Sequence, residues 1–249
     1  MVKWISHRGE SLDAPENSLA AFKLSQERNT DGMECDVRLT RDGKVVVCHD
    51  ANTLRTGSAF LPVESSSYAE LQQIHISGAL EDVYPDEKIP LLSETFKYLG
   101  ENREYYIELK GSDPALIPAV KAVVEASGVD FKQIVFIAFS ETLVREMKLA
   151  MPQCRALWLN SLIRDYGRVT PDELIAKLKD LGVDGVDAAA NPDTDAELVK
   201  AVHDAGMIYA VWTLDNPYQA DHFIRLGVDA VTSNRAGFLK ARAEQLSCK

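Results

Sequence analysis

The sequence contains few cysteines, few glycines and prolines, and no long apolar run. The four cysteines in 249 residues form no C-x-x-C pair and are too few for a disulfide scaffold. We therefore expect reduced thiols and a reducing compartment for Cys35, Cys48, Cys154 and Cys248. With 14 glycines and 10 prolines the chain is neither collagen-like nor of low complexity. No stretch approaches the roughly 18 apolar residues of a membrane span, which leaves a globular protein with a substantial core.

Positive charge is also scarce. The chain has 27 Lys and Arg against 38 Asp and Glu, a formal net charge of −11. This argues against non-specific binding of nucleic acid or of an anionic membrane, although a local group of cations can still hold a small anionic ligand. The chain starts in a strand-like pattern instead of a signal peptide, which predicts a cytoplasmic location, or a periplasmic one if a leader was removed. We expect a small-molecule substrate and no nucleic-acid or integral-membrane partner; the oligomeric state is left open.

Short apolar runs alternate with amphipathic ones along almost the whole chain. Strands are predicted at Val2–His7, Met33–Leu39, Lys44–His49, Tyr105–Lys110, Ile134–Phe139, Arg155–Leu159, Asp184–Asp187, Ile208–Thr213 and Asp229–Thr232. Helices are predicted at Ser18–Gln26, Leu91–Leu99, Ala115–Ala126, Glu141–Ala150, Pro171–Leu181, Asp195–Ala205, Pro217–Leu226 and Phe238–Gln245. Such repeated alternation is typical of a parallel α/β protein.

The number of strands distinguishes between the α/β folds. Asp42-Gly43 lies between two alternating runs, which is a strong signal for a hairpin. Counting that pair once leaves eight strand positions, the number that closes a (β/α)8 barrel of the TIM type. An open doubly wound sheet would normally carry a G-x-G-x-x-G loop after its first strand, where this chain has His7-Arg8-Gly9. We predict a TIM-type barrel with a β-hairpin extension at its second strand.

The segment 53–90 is longer than an ordinary loop between barrel strands. They contain Ser65-Ser66-Ser67 and Tyr84-Pro85-Asp86-Glu87, which are turn-forming residues. We predict a short insertion before the third barrel strand, one that helps to cover a site. Because no Ser-, Gly- or Pro-rich linker divides the chain, we assign residues 1–249 to a single barrel domain that includes the insertion.

Polar residues interrupt the apolar runs where barrel strands end, and active sites of such barrels lie at the carboxyl ends of the strands. These residues are His7 and Arg8 at the first strand, Glu34 and Asp36 in the second, His49 after the hairpin, and Glu108 and Lys110 in the third. A two-residue turn at Asp42-Gly43 would place Asp36 opposite His49, with Glu34 on the same face.

Three carboxylates at one rim repel one another, and burial makes the repulsion stronger. A divalent cation resolves this conflict, and oxygen ligands alone suit Mg²⁺ or Ca²⁺ better than zinc. A cation with Arg8 and Lys110 nearby matches a phosphoryl group. His7 and His49 add an acid and a base that titrate near neutral pH. The residues therefore predict metal-assisted hydrolysis of a phosphoester.

A series of short motifs also follows a definite order along the chain. The motifs are His7-Arg8-Gly9, Pro15-Glu16-Asn17-Ser18-Leu19-Ala20-Ala21-Phe22, Glu34-x-Asp36-Val37-x-Leu39-Thr40-x-Asp42-Gly43, His49-Asp50, Ile89-Pro90-Leu91-Leu92, Tyr106-Ile107-Glu108-Leu109-Lys110, Val211-Trp212-Thr213 and Gly227-Val228-Asp229-Ala230-Val231-Thr232-Ser233-Asn234-Arg235. Together they resemble the signature of the glycerophosphodiester phosphodiesterase family. The resemblance covers nearly the whole chain, and the ordered combination is far more specific than any single motif.

The resemblance implies a TIM-type barrel that hydrolyses glycerophosphodiesters, such as glycerophosphocholine or glycerophosphoethanolamine, to an alcohol and glycerol 3-phosphate. It implies that Glu34, Asp36 and Glu108 hold one divalent metal ion, Mg²⁺ or Ca²⁺. It further implies that Arg8 and Lys110 bind the phosphate of the substrate.

The resemblance also implies the acid–base pair, His7 and His49. In the family's proposed scheme a glycerol hydroxyl attacks phosphorus first, and water then opens the resulting cyclic phosphate. We expect His49 to act as the base and His7 as the acid for the leaving group. Trp212 is expected to bind substrate as an apolar wall against the glycerol. Asn17 is expected first to cap a helix, with contact to the site as the alternative.

The sequence departs from the family pattern at three places. Ser18 stands where the family often has Thr, and Ala138-Phe139-Ser140 stands where it often has Ser-Phe-Asp, so we assign the latter no role. The insertion carries no sharp motif, which leaves head-group specificity open. Three other functions remain: a phosphodiesterase of the same superfamily acting on a phosphoinositide or sphingolipid head group, a metal-dependent isomerase or lyase, and a binding protein on an inactive barrel.

Overall fold

Eight parallel strands form a closed barrel in the computed structural model, which describes residues 2–164 and 167–247. The strands are β1 Lys3–Ser6, β2 Gly32–Leu39, β3 Val45–Val47, β4 Glu104–Leu109, β5 Ile134–Ala138, β6 Arg155–Asn160, β7 Gly185–Ala189, β8 Ile208–Trp212 and β9 Ala230–Ser233. β1 pairs in parallel with both β2 and β9, which closes the barrel, and β3 is bonded outside it to β2. The predicted TIM-type barrel is confirmed.

Helices connect most of the barrel strands. They are α1 Leu19–Glu27, α2 Tyr68–Leu71, α3 Leu92–Thr95, α4 Leu116–Ser127, α5 Glu141–Ala150, α6 Pro171–Leu181, α7 Ala196–Asp204, α8 Pro217–Leu226 and α9 Ala236–Ser247. The predicted helix over 91–99 is interrupted, because α3 continues as a 3₁₀ turn over Phe96–Tyr98. α2 was not predicted, since four residues are too few to show a helical period.

The hairpin of β2 and β3 differs from the prediction by one residue in register. The paired residues are Val37 with Val47, Arg38 with Val46 and Leu39 with Val45. The loop has three residues, 41–43, and Gly43 takes the positive φ of +74° that such loops require. Asp36 therefore lies opposite Cys48, whose N–H donates to the Asp36 carbonyl at 2.9 Å. The predicted pairing of Asp36 with His49 was wrong, because the loop is one residue longer than assumed.

The insertion before β4 packs onto the outer face of the hairpin. Its buried side chains join those of β3 in one apolar cluster: Val46, Cys48, Val63, Leu71, Ile74, Ile76 and Ile89. Hydrogen bonds also connect the two, for example from the Arg41 N–H to the Ser66 carbonyl at 3.0 Å. The insertion is thus held against the hairpin that leads to His49.

The barrel sheet has one apolar layer outside it and another inside it. The inner layer does not reach the carboxyl end of the barrel, where the interior is polar. A large cluster fills the space between strands and helices. The interior cluster consists of Ile5, Tyr106, Val135, Ile137, Leu157, Leu159, Ala210 and Ala230. Because inward positions alternate along each strand, the next inward residues at the carboxyl ends form a rim above this interior cluster.

Two further properties concern the chain as a whole. Cys35, Cys48 and Cys154 are buried free thiols, whereas Cys248 lies outside the described residues. Among the described helices, none is long and apolar enough to cross a membrane.

Candidate active site

Three buried carboxylates meet at the rim. Glu34 and Asp36 lie on β2, and the parallel register of β2 and β4 places Glu108 beside Asp36. One oxygen of each carboxylate can be chosen so that all three lie within 4.8 Å of one another. Burial and the charge of Asp36 raise the pKa of Glu34 well above its usual value, and the same causes raise the pKa of Glu108 to about 7. Such a cluster needs positive charge to stay ionised.

Asp36 has the most cationic surroundings of the three. Asn17 donates from Nδ2 to Asp36 Oδ2 at 2.8 Å, and Arg8 Nε lies 3.2 Å from the same oxygen. Lys110 Nζ lies 3.5 Å from the other oxygen, Oδ1. Burial favours a raised pKa for Asp36, but the charges of Arg8, Lys110 and His49 outweigh it and lower that pKa. Asp36 is therefore held as a carboxylate.

The residues fit a divalent cation. Asp36 Oδ1 is buried and has no hydrogen-bond partner among the described residues. Lys110, 3.5 Å away, neutralises part of its charge, and a bound cation would supply the missing direct contact. The other donors are carboxylate oxygens, which suit hard cations such as Mg²⁺ and Ca²⁺. Glu34, Asp36 and Glu108 are thus able to hold one such ion together.

Ion pairs connect Arg8 to His49 through the insertion. Arg8 Nη1 donates to Glu16 Oε1 at 2.9 Å, and Arg55 binds both oxygens of Glu16 at 2.5 and 2.8 Å. Arg55 Nε also donates to Asp50 Oδ2 at 2.7 Å. Asp50 Oδ1 lies 2.6 Å from His49 Nδ1. Arg55, which belongs to the insertion, therefore contacts the partners of both cleft residues.

Each histidine has its Nδ1 engaged by a fixed partner. His7 Nδ1 lies 2.7 Å from Asn234 Oδ1, and Asn234 Nδ2 donates to Asp215 at 2.6 Å, which fixes the orientation of the amide. His7 Nδ1 is therefore the donor, and its Nε2 faces Glu34 Oε2 at 4.0 Å. His49 Nδ1 faces the carboxylate of Asp50, which likewise leaves Nε2 for a ligand.

The opposite side of the cleft is mostly apolar. The rings of Phe139 and Trp212 meet edge to face with centroids 5.6 Å apart. The residues that line the cleft are His7, Arg8, Glu34, His49, Glu108, Lys110, Ile137, Phe139, Leu159, Asp187, Trp212 and Thr232. A charged half and an apolar half thus face each other, as expected for a ligand with an ionic group and an organic part.

The structure brings the predicted site residues to one cleft. Seven of them line it, and Asp36 lies buried beside Arg8 and Lys110. His49 reaches the cleft although its predicted pairing was wrong, because β3 ends at Val47 and the chain then leaves the strand. Asn17 does not cap α1; Ser18 does, by accepting from the Ala21 N–H at 3.1 Å.

Sequence reasoning gave no role to four residues of the site. They are Arg55, Asn234, Asp187 and Thr232. For Asn17, contact with the site was the second of two expectations, and its amide does contact Asp36. Asp187 carried a signal, since it is an acid inside an apolar strand. Asn234 and Thr232 lie in the last of the family motifs, which marked the segment but gave neither residue a role. Arg55 carried no signal that distinguishes it from a surface residue, because only the fold brings its loop to the rim.

The fold and the cleft together describe a TIM-barrel protein whose active-site cleft, at the carboxyl ends of the strands, combines acidic, basic and imidazole side chains. The model of the Glycerophosphoryl diester phosphodiesterase family matches residues 7–238. The chain therefore belongs to this family and is a phosphoric diester hydrolase. The family expected from the sequence motifs is confirmed.

Individual relatives agree with the family assignment. The chain is 27% identical to a glycerophosphodiester phosphodiesterase of Caldanaerobacter subterraneus subsp. tengcongensis over 240 residues, 92% of this chain and 93% of that protein. A phosphodiesterase of Oleispira antarctica, solved with sn-glycerol-3-phosphate, has the same fold with a TM-score of 0.87 at 24% identity, covering 96% of each chain. The glycerophosphodiester phosphodiesterase of Agrobacterium tumefaciens matches with a TM-score of 0.80 at 25% identity, covering 97% of this chain and all of that one.

Proposed function

We propose that this protein hydrolyses glycerophosphodiesters, such as glycerophosphocholine and glycerophosphoethanolamine, to an alcohol and glycerol 3-phosphate. Family membership supports the reaction class. One observation carries the proposal further: a buried carboxylate cluster, two cations and two imidazoles share a cleft with an apolar wall. This arrangement can hold a phosphodiester by its charge and an organic group by its surface.

Glu34, Asp36 and Glu108 are proposed to hold one divalent cation, Mg²⁺ or Ca²⁺. When bound, the cation supplies positive charge to the phosphoryl oxygens. The protein's own cations act beside it: Arg8 and Lys110 line the cleft and contact Asp36, so both are in reach of a phosphate at the same place. Arg8 is suited to bind two phosphate oxygens at once.

His7 and His49 are proposed to act as acid and base. His49 takes the proton of the attacking glycerol hydroxyl as its oxygen bonds to phosphorus, and the Asp50 carboxylate stabilises the imidazolium that results. His7 gives a proton from Nε2 to the oxygen of the departing alcohol as the P–O bond breaks. Water then opens the cyclic phosphate with the two roles exchanged.

The role of Trp212, the extent of the domain and the cellular location are proposals as well. Trp212 is proposed as the wall against the glycerol, supported by its place in the cleft next to Phe139. A single domain over 1–249 is supported by the packing of the insertion onto the hairpin. A cytoplasmic location is supported by the free thiols of Cys35, Cys48 and Cys154.

The test is release of glycerol 3-phosphate from glycerophosphocholine and from glycerophosphoethanolamine. The assay is run first with EDTA and then with Mg²⁺ or Ca²⁺ restored. We expect release to stop with EDTA and to return with metal. Absence of release from both diesters, with metal demonstrably bound, would direct the search to phosphoinositide or sphingolipid head groups.

A further inference from the structure

Two polar side chains in the cleft each have a buried oxygen without a hydrogen-bond partner among the described residues. Asp187, on β7, is 1% exposed, and its Oδ1 is buried without a hydrogen bond to any described residue. Thr232, on β9, is 2% exposed, and its Oγ1 is likewise buried and unpaired within the described part of the chain. Both residues line the cleft. They are separate from the three-carboxylate cluster of the described residues.

An unpaired buried carboxyl does not help the protein to fold. Burial removes its water, and nothing in the folded chain replaces the lost hydrogen bonds. Asp184, three residues earlier, shows the contrast: it accepts from the Ala156 N–H at 2.7 Å and pairs with Lys148 at 2.8 Å. Because Asp187 opens onto a cleft, the missing partner can be supplied by a ligand.

The surroundings restrict what that ligand group can be. The walls next to Asp187 include Leu159 and Trp212, and the Trp212 indole N–H donates to the Asp187 carbonyl at 3.1 Å. The phosphate is expected at Arg8 and Lys110, in the charged half of the cleft. The group that meets Asp187 therefore belongs to the organic part of the substrate, and it must be able to hydrogen-bond to the carboxyl. A hydroxyl of the glycerol satisfies this condition, since it can donate and accept.

We propose that Asp187, together with Thr232 in the same cleft, binds a free hydroxyl of the glycerol moiety and selects substrates that carry it. This inference rests on the proposed hydrolysis of glycerophosphodiesters. In the proposed reaction one glycerol hydroxyl attacks phosphorus, and Asp187 holds the hydroxyl that does not attack. Asp187 and Thr232 are thus specificity-determining residues that take no part in proton transfer.

The experiment compares the affinities of four monophosphates in buffer containing Mg²⁺. Glycerol 3-phosphate carries two hydroxyls, 3-hydroxypropyl and 2-hydroxypropyl phosphate carry one each, and propyl phosphate carries none. Wild-type protein should prefer glycerol 3-phosphate to propyl phosphate. Asp187→Val should reduce this preference about five- to tenfold, the effect of losing one hydrogen bond to a buried group, and leave the affinity for propyl phosphate within about twofold. Thr232→Val, which keeps the shape, should reduce the preference less, and Asp187→Asn should retain part of it.

Thermal unfolding of the same variants separates a binding role from a structural one. Asp187→Val should not lower Tm, because the buried oxygen that it removes has no hydrogen bond within residues 2–164 and 167–247. Asp184→Asn is the matched control: it should lower Tm, since Asp184 is paired, and should leave the preference for glycerol 3-phosphate unchanged.

Three results would overturn the proposal: no preference for glycerol 3-phosphate in the wild type, an equal loss of affinity for all four ligands in Asp187→Val, or a fall in Tm as large as that of Asp184→Asn. Ligand binding needs no turnover. Failure here is therefore distinct from failure to hydrolyse glycerophosphodiesters, which would refute the proposed function instead.

Discussion

The two sides of the cleft differ in how their polar groups are satisfied. On the side of β1, β2 and β4, charged residues form ion pairs with one another; Arg8, for example, contacts both Glu16 and Asp36. Even the atoms without a hydrogen bond among the described residues there, Arg8 Nε and Asp36 Oδ1, lie within 3.5 Å of an opposite charge. On the side of β5 to β9 the wall is apolar, and the polar groups of Asp187 and Thr232 have no partner among the described residues. The side of β1, β2 and β4 suits a charged ligand group, because its cations and anions are already positioned before the ligand binds. The apolar side of β5 to β9 suits a neutral organic group.

The two sides also differ in how much their buried polar groups lower the stability of the folded protein. The charged side is costly only while its carboxylates lack a cation, as the raised pKa of Glu34 and Glu108 indicates. The apolar side carries a smaller cost, about 1–3 kcal/mol for an unsatisfied buried group. Changes on the charged side should therefore abolish activity, whereas changes on the apolar side should alter substrate preference and leave stability equal or higher.

The largest expected effect is the loss of metal-dependent hydrolysis in Glu34→Gln or Asp36→Asn. Each change removes a charged ligand of the proposed cation and leaves the shape of the side chain almost unchanged. Release of glycerol 3-phosphate measures activity, and circular dichroism checks that the barrel is intact. Full activity in either variant would refute the assignment of the three carboxylates as metal ligands.

The next effect concerns the two imidazoles. His49→Ala should lower turnover about 10²–10⁴-fold, the usual contribution of a general acid or base. A loss below about tenfold would mean that His49 is a bystander.

The order of the two roles has a separate test, which uses the diester of glycerol 3-phosphate with p-nitrophenol. This leaving group needs no proton, so His7→Ala should regain most of its activity on it and His49→Ala should not. Burial and the charge of Arg8 lower the pKa of His7, which disfavours its protonated form. The reverse pattern of rescue would therefore exchange the two roles.

A smaller effect is expected from Arg55, which connects the insertion to the charged side. Arg55→Ala should lower kcat about tenfold with little change in KM, because Asp50 and Glu16 lose the group that holds them toward His49 and Arg8. Arg55→Lys should recover only part of the loss, since Lys cannot bind two carboxylates in a fixed fork. Arg41→Ala is the control, because Arg41 pairs with Glu70 outside the cleft. Equal kcat losses in the Arg55 and Arg41 variants would indicate a general weakening of the insertion.

The smallest effect is a pH-dependent gain in stability from Asp187→Asn. Burial and the charge of Glu108 raise the pKa of Asp187 to about 8, far above its unfolded value. The folded protein therefore keeps a proton that the unfolded chain releases, and this group lowers stability as pH rises from about 4 to about 8. In EDTA the gain in Tm of the variant over the wild type should be larger at about pH 8 than at about pH 5. A gain that is independent of pH would contradict the raised pKa.

Much of this protein could be predicted from local patterns. Helix ends at Thr170-Pro171 and at Gly182 follow from capping chemistry, and the structure has both. Strand alternation and the Asp42-Gly43 turn were sufficient for the barrel, because a period of two and a turn signal depend only on neighbouring residues. The strand register predicted from the same turn was wrong by one residue, because two-residue and three-residue loops both accept glycine at that position.

The sequence by itself determined the barrel, the carboxylates on β2 and β4, and the histidines at the strand ends, because each depends on the alternation of one strand or on an ordered motif. Only the tertiary structure decided the rest. Asn234 orients His7 from 227 residues away, and Arg55 reaches Glu16 across 39 residues. Only the tertiary structure could show that Asp187 Oδ1 has no hydrogen bond to any described residue, because this depends on what the neighbouring strands place around it.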